Sequence, residues 1–592
     1  MCVVVRVCGV RYNDRVSTLR DFSMPMPRSG GLLLLVHLLV ALPTARSIAR
    51  PAPLTSRLLR VPSRVQPVLS SDTGKSVAGK AEEPGLRALD GEFIKIAAPA
   101  FVQFAADPIA RLIDTVYLGR LGTNALGGAS AAIAAQYSVA KLYNDPVLRT
   151  TISLVAAQEG RAPEARTNAV CTALLLALVV GVVQGTVFFV LSGPILSACC
   201  VGPASPMRSA AMGYLRVCSL GAPTTTLWLA TNGIFRGLGD TATPLVWALA
   251  FSAMNALLDP IFIFRFGMGA AGAAAGTALS QTIALLPLLL ALQRKLRAAE
   301  ERAADIDGAD FAADNGTRTP TTPSLRRRPI VGLFVPSGGL PALLESLRTF
   351  VQAGSYVLLR SIARISTYTV CSREAARLGA VASSAHNLCF QLGVATTQLC
   401  ESIGLATQTL LARELSQASG TTSEGGDAPC ETDGTAPSAR TVARARHVLS
   451  RGLALGMAVA SALSMVTFAN RRGVVAGLTT IPEVRAAACA VMPLVLLCQV
   501  LKGLAYPVNG ALMGALDWRA SAGAMVAAQV TSVALVAWWS RLGKVALTLN
   551  RLWGALAALF AVQIGVSLVR IASKTGPWKA FAEQRDARGP EP

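Results

Sequence analysis

What this chain lacks most is charge. Only 15% of its 592 residues are Asp, Glu, Lys or Arg, whereas 52% are hydrophobic. A soluble protein of this length needs more polar surface to cover its core. Histidine is almost missing: His37, His386 and His447 are too scattered to suggest a metal site. No CxxC pair occurs among the 12 cysteines, most of which fall inside apolar runs and read as small buried hydrophobes. Cys199-Cys200 is the one adjacent pair. Aromatic residues are only 6%, and no basic stripe interleaves with them, so the net charge of +22 does not read as nucleic-acid binding. Gly74-Lys75-Ser76 echoes a phosphate loop, but Leu69 stands where its first glycine belongs. No nucleophile–base or metal grouping points to an enzyme, and no cofactor is expected.

What is present is a series of long runs rich in Ala, Gly, Leu and Val, from about residue 92 to about residue 573. Each approaches the about 20 residues that a helix needs to cross the hydrocarbon layer. Backbone groups in lipid must bond internally, and the alternation of a membrane barrel is missing, which leaves helices. The expected fold is an all-α polytopic membrane protein. Twelve spans are read at 93–118, 124–157, 167–192, 208–235, 243–266 and 270–293, then 341–370, 380–412, 447–469, 485–513, 520–540 and 551–573.

The segments between and before these runs divide the chain. Residues 1–91 read as a targeting leader, disordered or cleaved. Within it, the short apolar stretch 31–42 resembles a secretory signal core. The Arg- and Ser-rich stretch 46–80 that follows suits an organelle transit peptide, and together they fit a bipartite plastid leader. Residues 92–294 form a first lobe, 295–340 a polar linker, 341–576 a second lobe with a disordered loop at 414–445, and 577–592 a tail. Lys and Arg gather between spans six and seven, between eight and nine, and after the last span. Both termini are therefore expected on the cytosolic or stromal side.

The two halves repeat one another. Asn232-Gly233, Gly237 and Asp240 end the fourth span, and Asn509-Gly510, Gly514 and Asp517 end the tenth at identical spacing. Ile109-Ala110-Arg111 recurs as Ile362-Ala363-Arg364, and Gln281 as Gln563. Parallel six-helix repeats are one plan of transporters, whose halves rock about a midplane site.

Acids inside spans are costly and mark function by default. Asp107 and Asp114 lie in the first span with Arg111 between them, close enough to neutralise either one. Asp259 lies in the fifth, one turn after Asn255 and with no base within a turn, and Glu401 lies in the eighth. In the repeat, Asp259 corresponds to Val536 and Asp114 to Thr367, so only the first half carries this pair.

The segments LIDTVYLGRLG, NGIFRGLGDTATP, NALLDPIFIF and GAAGAAAGTALSQ, with AHNLCFQLGVATTQLCESIGLATQ, resemble the multidrug and toxic compound extrusion (MATE) transporters, in their DinF-like branch with plant plastid members. The resemblance spans about residues 92–574. It implies twelve transmembrane helices in two pseudo-symmetric six-helix lobes, as in the MOP superfamily, and antiport of an organic solute against H⁺ or Na⁺. It also implies a cation site of Asp114, Asn232, Asn255, Asp259 and Thr277, with any Na⁺ held by Asp114, Asn255 and Asp259. Asp107, Arg111, Lys141, Gln281, Arg360, Glu401 and Gln408 are candidates for substrate contact or gating. The expected partners are a small organic solute and the lipid bilayer, with no nucleic acid, and the expected state is a monomer in a plastid membrane. A lipid-linked precursor flippase of related architecture is the alternative.

Overall fold

The computed structural model describes residues 84–159, 163–199, 201–313, 333–334, 339–419, 439–479, 481–542, 547–573 and 575–581. The leader reading up to residue 83 and most of the polar loop between spans eight and nine lie outside these residues. Every regular element among them is helical.

Six spans build the first lobe: Pro84–Gly119, Thr123–Ala156, Pro163–Val190, a fourth broken at Gly221 into Arg208–Leu220 and Ala222–Gly237, then Ala242–Pro260, and Ala270–Ala313. Six more build the second: Gly339–Arg377, Ala380–Ser419, Ala439–Ala469, Pro482–Gly514, Trp518–Arg541 and Leu549–Ala572. A short helix follows the third span of each lobe, Ser192–Ala198 in one and Arg471–Leu478 in the other. The twelve expected spans are all there.

Four boundaries differ from the sequence reading. Helix begins at Pro84, inside the segment read as leader. The sixth span runs on to Ala313, well into the segment read as linker, because residues 294–313 are rich in Ala, Arg and Glu, which are strong helix formers. The eighth and ninth spans likewise extend to Ser419 and back to Ala439, shortening the loop between them. In each case polarity marks the end of the membrane rather than the end of the helix.

The repeated Asn-Gly motif has one packing role in both lobes. A methyl group on Gly233 or Gly237 would press on Leu148 O and Ile152 O of the second span. One on Gly510 or Gly514 would strike Gly404 O and Gln408 O of the eighth. The glycines thus let span four lie against span two, and span ten against span eight, at backbone distance, as small residues do between membrane helices. The turn after each motif is also shared. Gly239 has φ 70° and Leu516, its counterpart, φ 56°. Each turn ends in an acid held by a base from the lobe's last span: Asp240 by Lys295 at 2.8 Å, and Asp517 by Arg570 at 2.7 Å. Half-burial pushes the Asp240 carboxyl up, but the donors from Lys295 and Thr243 outweigh it and leave it below its ordinary value.

The lobes meet where spans one and two face spans eight and seven. Among the described residues, seven helices are apolar enough to cross a membrane by composition alone, and spans one, two, seven and eight are not among them. These four, joined by span nine at one end, carry the polar groups that cross between lobes. At one end Arg413 of span eight bonds Glu92 of span one at 2.6 Å and also holds Glu159, while Asp90 receives Arg451 at 2.9 Å and His447 at 2.8 Å. A final 3₁₀ turn, Gly576–Phe581, inserts Trp578 fully buried among Leu89, Phe93 and Ile96 of span one and Val442, Ala445 and Val448 of span nine.

Candidate cation site and inter-lobe ion network

The fifth span places the first lobe's polar cluster. Asn255 and Asp259 are four residues apart, hence on one helical face, and both are buried. The Asn255 amide donates to Asp259 Oδ1 at 2.9 Å and to Thr277 Oγ1 of the sixth span at 3.1 Å. Thr277 in turn donates to the Ala273 carbonyl at 3.0 Å. Gly276 makes the approach feasible, since a methyl group there would overlap Asp259 Oδ1.

Pro260 shapes the other side. It has no N–H to give the carbonyl of Ala256, four residues back. The Tyr117 hydroxyl of span one donates to that carbonyl at 3.3 Å, pinning span one to span five three residues beyond Asp114. The helix then widens into a π turn, Ile261–Arg265, on which Gly272 of span six packs at backbone distance. Such turns recur at functional sites.

Within this frame the Asp114 carboxyl lies in hydrogen-bonding reach of Asp259. Among the described residues, Asp259 Oδ2 receives no N–H or O–H donor and no Lys or Arg forms an ion pair with Asp259. Two carboxyl groups hydrogen-bond to each other only through a proton. Asp114, Asn255, Asp259 and Thr277 thus lie together. Asn232 does not join their hydrogen bonds: it accepts from Gln103 at 2.7 Å and donates to the Trp228 carbonyl at 2.7 Å. Gln281, one turn beyond Thr277, accepts from Thr225 of span four at 2.8 Å.

The MatE family model matches residues 99–261, which contain both aspartates, and again 434–539 in the second lobe. Both lobes thus match the MATE family. It is 26% identical to DETOXIFICATION 44, chloroplastic, of Arabidopsis thaliana over 84% of this chain and 85% of that protein. It is 28% identical to DETOXIFICATION 45, chloroplastic, of the same plant, over 82% and 79%. A probable multidrug resistance protein, NorM, of Deinococcus radiodurans is 27% identical over 77% of this chain and 86% of that one. In fold it matches a MATE structure solved in a straight conformation with TM-score 0.62 and 16% identity, covering 82% of this chain and 96% of that one. A MATE structure in a bent conformation matches with TM-score 0.63 at the same identity, over 85% and 99%. This MATE protein is thus a multi-pass membrane protein with the two-lobe, twelve-helix architecture.

The remaining candidates of the MATE chain form a second cluster, between the lobes. Asp145 of span two accepts from Arg149 at 3.1 Å, from Arg364 of span seven at 3.2 Å and from Ser361 at 2.9 Å. Arg149 reaches on to Glu401 of span eight at 2.6 Å. Gln408, fully buried, donates to the Arg149 carbonyl at 3.1 Å and to Ser153 Oγ at 2.7 Å. Glu401 and Gln408 are therefore tied across the lobe boundary. Arg360 faces a small cavity in the second lobe. The side chains of Asp107, Arg111 and Lys141 lie outside the described residues.

The sequence reading missed Asp145 and Arg149, which pair one turn apart on span two and whose inter-lobe partners lie more than 200 positions away. It also missed Tyr117, which bonds the carbonyl left free by Pro260, and Lys502, a half-buried cation of span ten held by Thr397 at 3.0 Å and Gln499 at 3.2 Å.

Proposed function

We propose that this MATE protein is a secondary antiporter that exports a small organic solute against protons, with the Asp114–Asp259 pair as the proton site. The reading rests on one observation: two carboxyl groups face each other inside the first lobe, with an oxygen of Asp259 lacking any donor. An uncompensated pair of ionised carboxylates in lipid is costly, whereas one added proton supplies both the missing charge and the missing hydrogen bond. A proton suits the surroundings better than Na⁺, because Asn255 turns its N–H, not its oxygen, toward Asp259.

Protonation changes the electrostatics where spans one, five and six join. Tyr117 and Gly276 link that junction to the rest of the lobe, so the charge state of the pair biases how span one packs. Span one also carries Glu92, which is paired to Arg413 of the second lobe at its far end. A single helix therefore connects the titrating pair to an inter-lobe ion pair.

MATE relatives carry multidrug-resistance and detoxification names, and two of the plant relatives are named chloroplastic. The leader composition points to the same organelle, so we assign the protein to a plastid membrane. The comparisons lend the flippase alternative no support.

The test is transport in proteoliposomes under imposed gradients. Asp259→Asn is expected to insert and purify like the parent yet lose proton-driven solute flux by at least about tenfold, equivalent to about 1.4 kcal/mol of lost coupling. Flux that still follows the pH gradient in Asp259→Asn, or parent flux driven equally by Na⁺ at fixed pH, would overturn the proton assignment.

A further inference from the structure

The second lobe holds buried positive charge that the proton site does not use. Arg360 is only 3% exposed, and its Nε and Nη1 have no hydrogen-bond partner among the described residues. The nearby carboxylates are already engaged. Asp145 is bonded to Arg149, Arg364 and Ser361, and Glu401 to Arg149. Among the described residues Lys502 likewise has no carboxylate partner; it lies 5.5 Å from the centre of the Phe560 ring and is held by neutral oxygens. A buried guanidinium with empty donors is too costly to be ordinary packing, since such groups in membrane spans pair or face a ligand.

Arg360 lines a cavity together with Arg364, Tyr506, Phe560 and Gln563. The cavity measures about 10 Å³, at the lower limit for one water, and is partly open, so a monatomic anion slightly larger than water enters it with small side-chain adjustment. Gln563 is buried and makes no hydrogen bond among the described residues, so its amide is a further donor at the wall. Donors on two arginines and an amide, an aromatic wall and no acid describe a site for one small anion. A bulky organic anion does not fit this space.

We propose that the Arg360 cavity is a binding site for a single small inorganic anion of chloride size. The anion bonds the free Nε and Nη1 of Arg360 and shares Arg364, which simultaneously holds Asp145 of the opposite lobe at 3.2 Å. Occupancy thereby neutralises the excess charge of the second lobe and influences the strength of the ion network that joins the lobes.

The test uses the full chain purified in lipid nanodiscs. Its thermal midpoint is measured as chloride replaces gluconate at constant ionic strength and pH. A saturable rise of about 3 °C is expected, matched by bromide. In Arg360→Gln the rise should disappear. Equal midpoints in chloride and gluconate, an unchanged rise in Arg360→Gln, or equal stabilisation by acetate would each overturn the proposal. Should Arg360→Gln fail to fold, the parent protein decides alone. Bromide-soaked crystals should show an anomalous peak within hydrogen-bonding distance of Arg360, and a peak elsewhere or none would sink the site.

Discussion

Asp259 owes its surroundings to a residue with no side chain. Gly276 lets the sixth span approach so closely that a methyl group there would overlap the carboxylate. Gly276→Ala must therefore displace span six or rotate Asp259 away from Asn255. The expected result is a folded protein, destabilised by about 1–3 kcal/mol from overpacking, whose transport no longer follows the pH gradient. The same loss of coupling at unchanged stability would show that only the Asp259 rotamer had moved. Unchanged coupling would show that the Asn255–Asp259 bond is dispensable. At this scale the sequence is informative where the reasons are local. The four-residue spacing of Asn255 and Asp259, without a base nearby, is enough to single out the pair. Asn232, which enters the set only through the family resemblance, bonds Gln103 of span one, a partner that no local spacing indicates.

At the scale of helices and turns, the repeat shows where one lobe is better built than the other. The left-handed turn after the fourth span uses Gly239, which adopts it freely, and the turn after the tenth uses Leu516, which does not. Leucine in this region costs roughly 1–2 kcal/mol, and its side chain is 38% exposed, so little packing offsets that cost. Leu516→Gly should raise the thermal midpoint, with a gain of about 1 kcal/mol after the extra chain entropy of glycine is counted. A lower midpoint would mean that the exposed leucine has a packing role. Seven of the spans are legible from apolar length alone, and the rest are read from weaker runs set in the two-fold repeat. Their ends are not legible, because helices 84–119 and 270–313 continue past the membrane on ordinary helix-forming residues. The π turn is also hidden: Pro260 signals a break in the bonding ladder, but only the fold reveals that Tyr117 repairs it.

At the scale of the molecule, the two lobes are fastened by charges as well as by apolar contacts. Glu401 is tied to Arg149 across the boundary, whereas Asp145 keeps Arg364 and Ser361 whether or not Glu401 is charged. Removing the one charge should loosen the junction without dismantling it. Glu401→Gln is expected to shift the balance between lobe arrangements about tenfold toward the separated one. Spin labels on spans two and eight, read by electron–electron distance measurement, would show this as a longer distance gaining weight. An unaltered distribution would assign the ion pair to stability alone. The sequence singles out Glu401 and Gln408 and offers the one-turn spacing of Asp145 and Arg149, but each inter-lobe bond joins positions that only the pseudo-symmetric folding of two repeats brings together.

The burial of Trp578 beside Leu89 and Phe93 has a bearing on biogenesis. Ribosomes deliver the first span long before the tryptophan that seals its base. Nearly five hundred intervening residues must be threaded into lipid before that contact can close. Until then the amino-terminal turn of the first span has an apolar flank with no cover. Quality-control factors patrolling the bilayer would meet that flank on every unfinished copy, and its disappearance would mark the chain as complete.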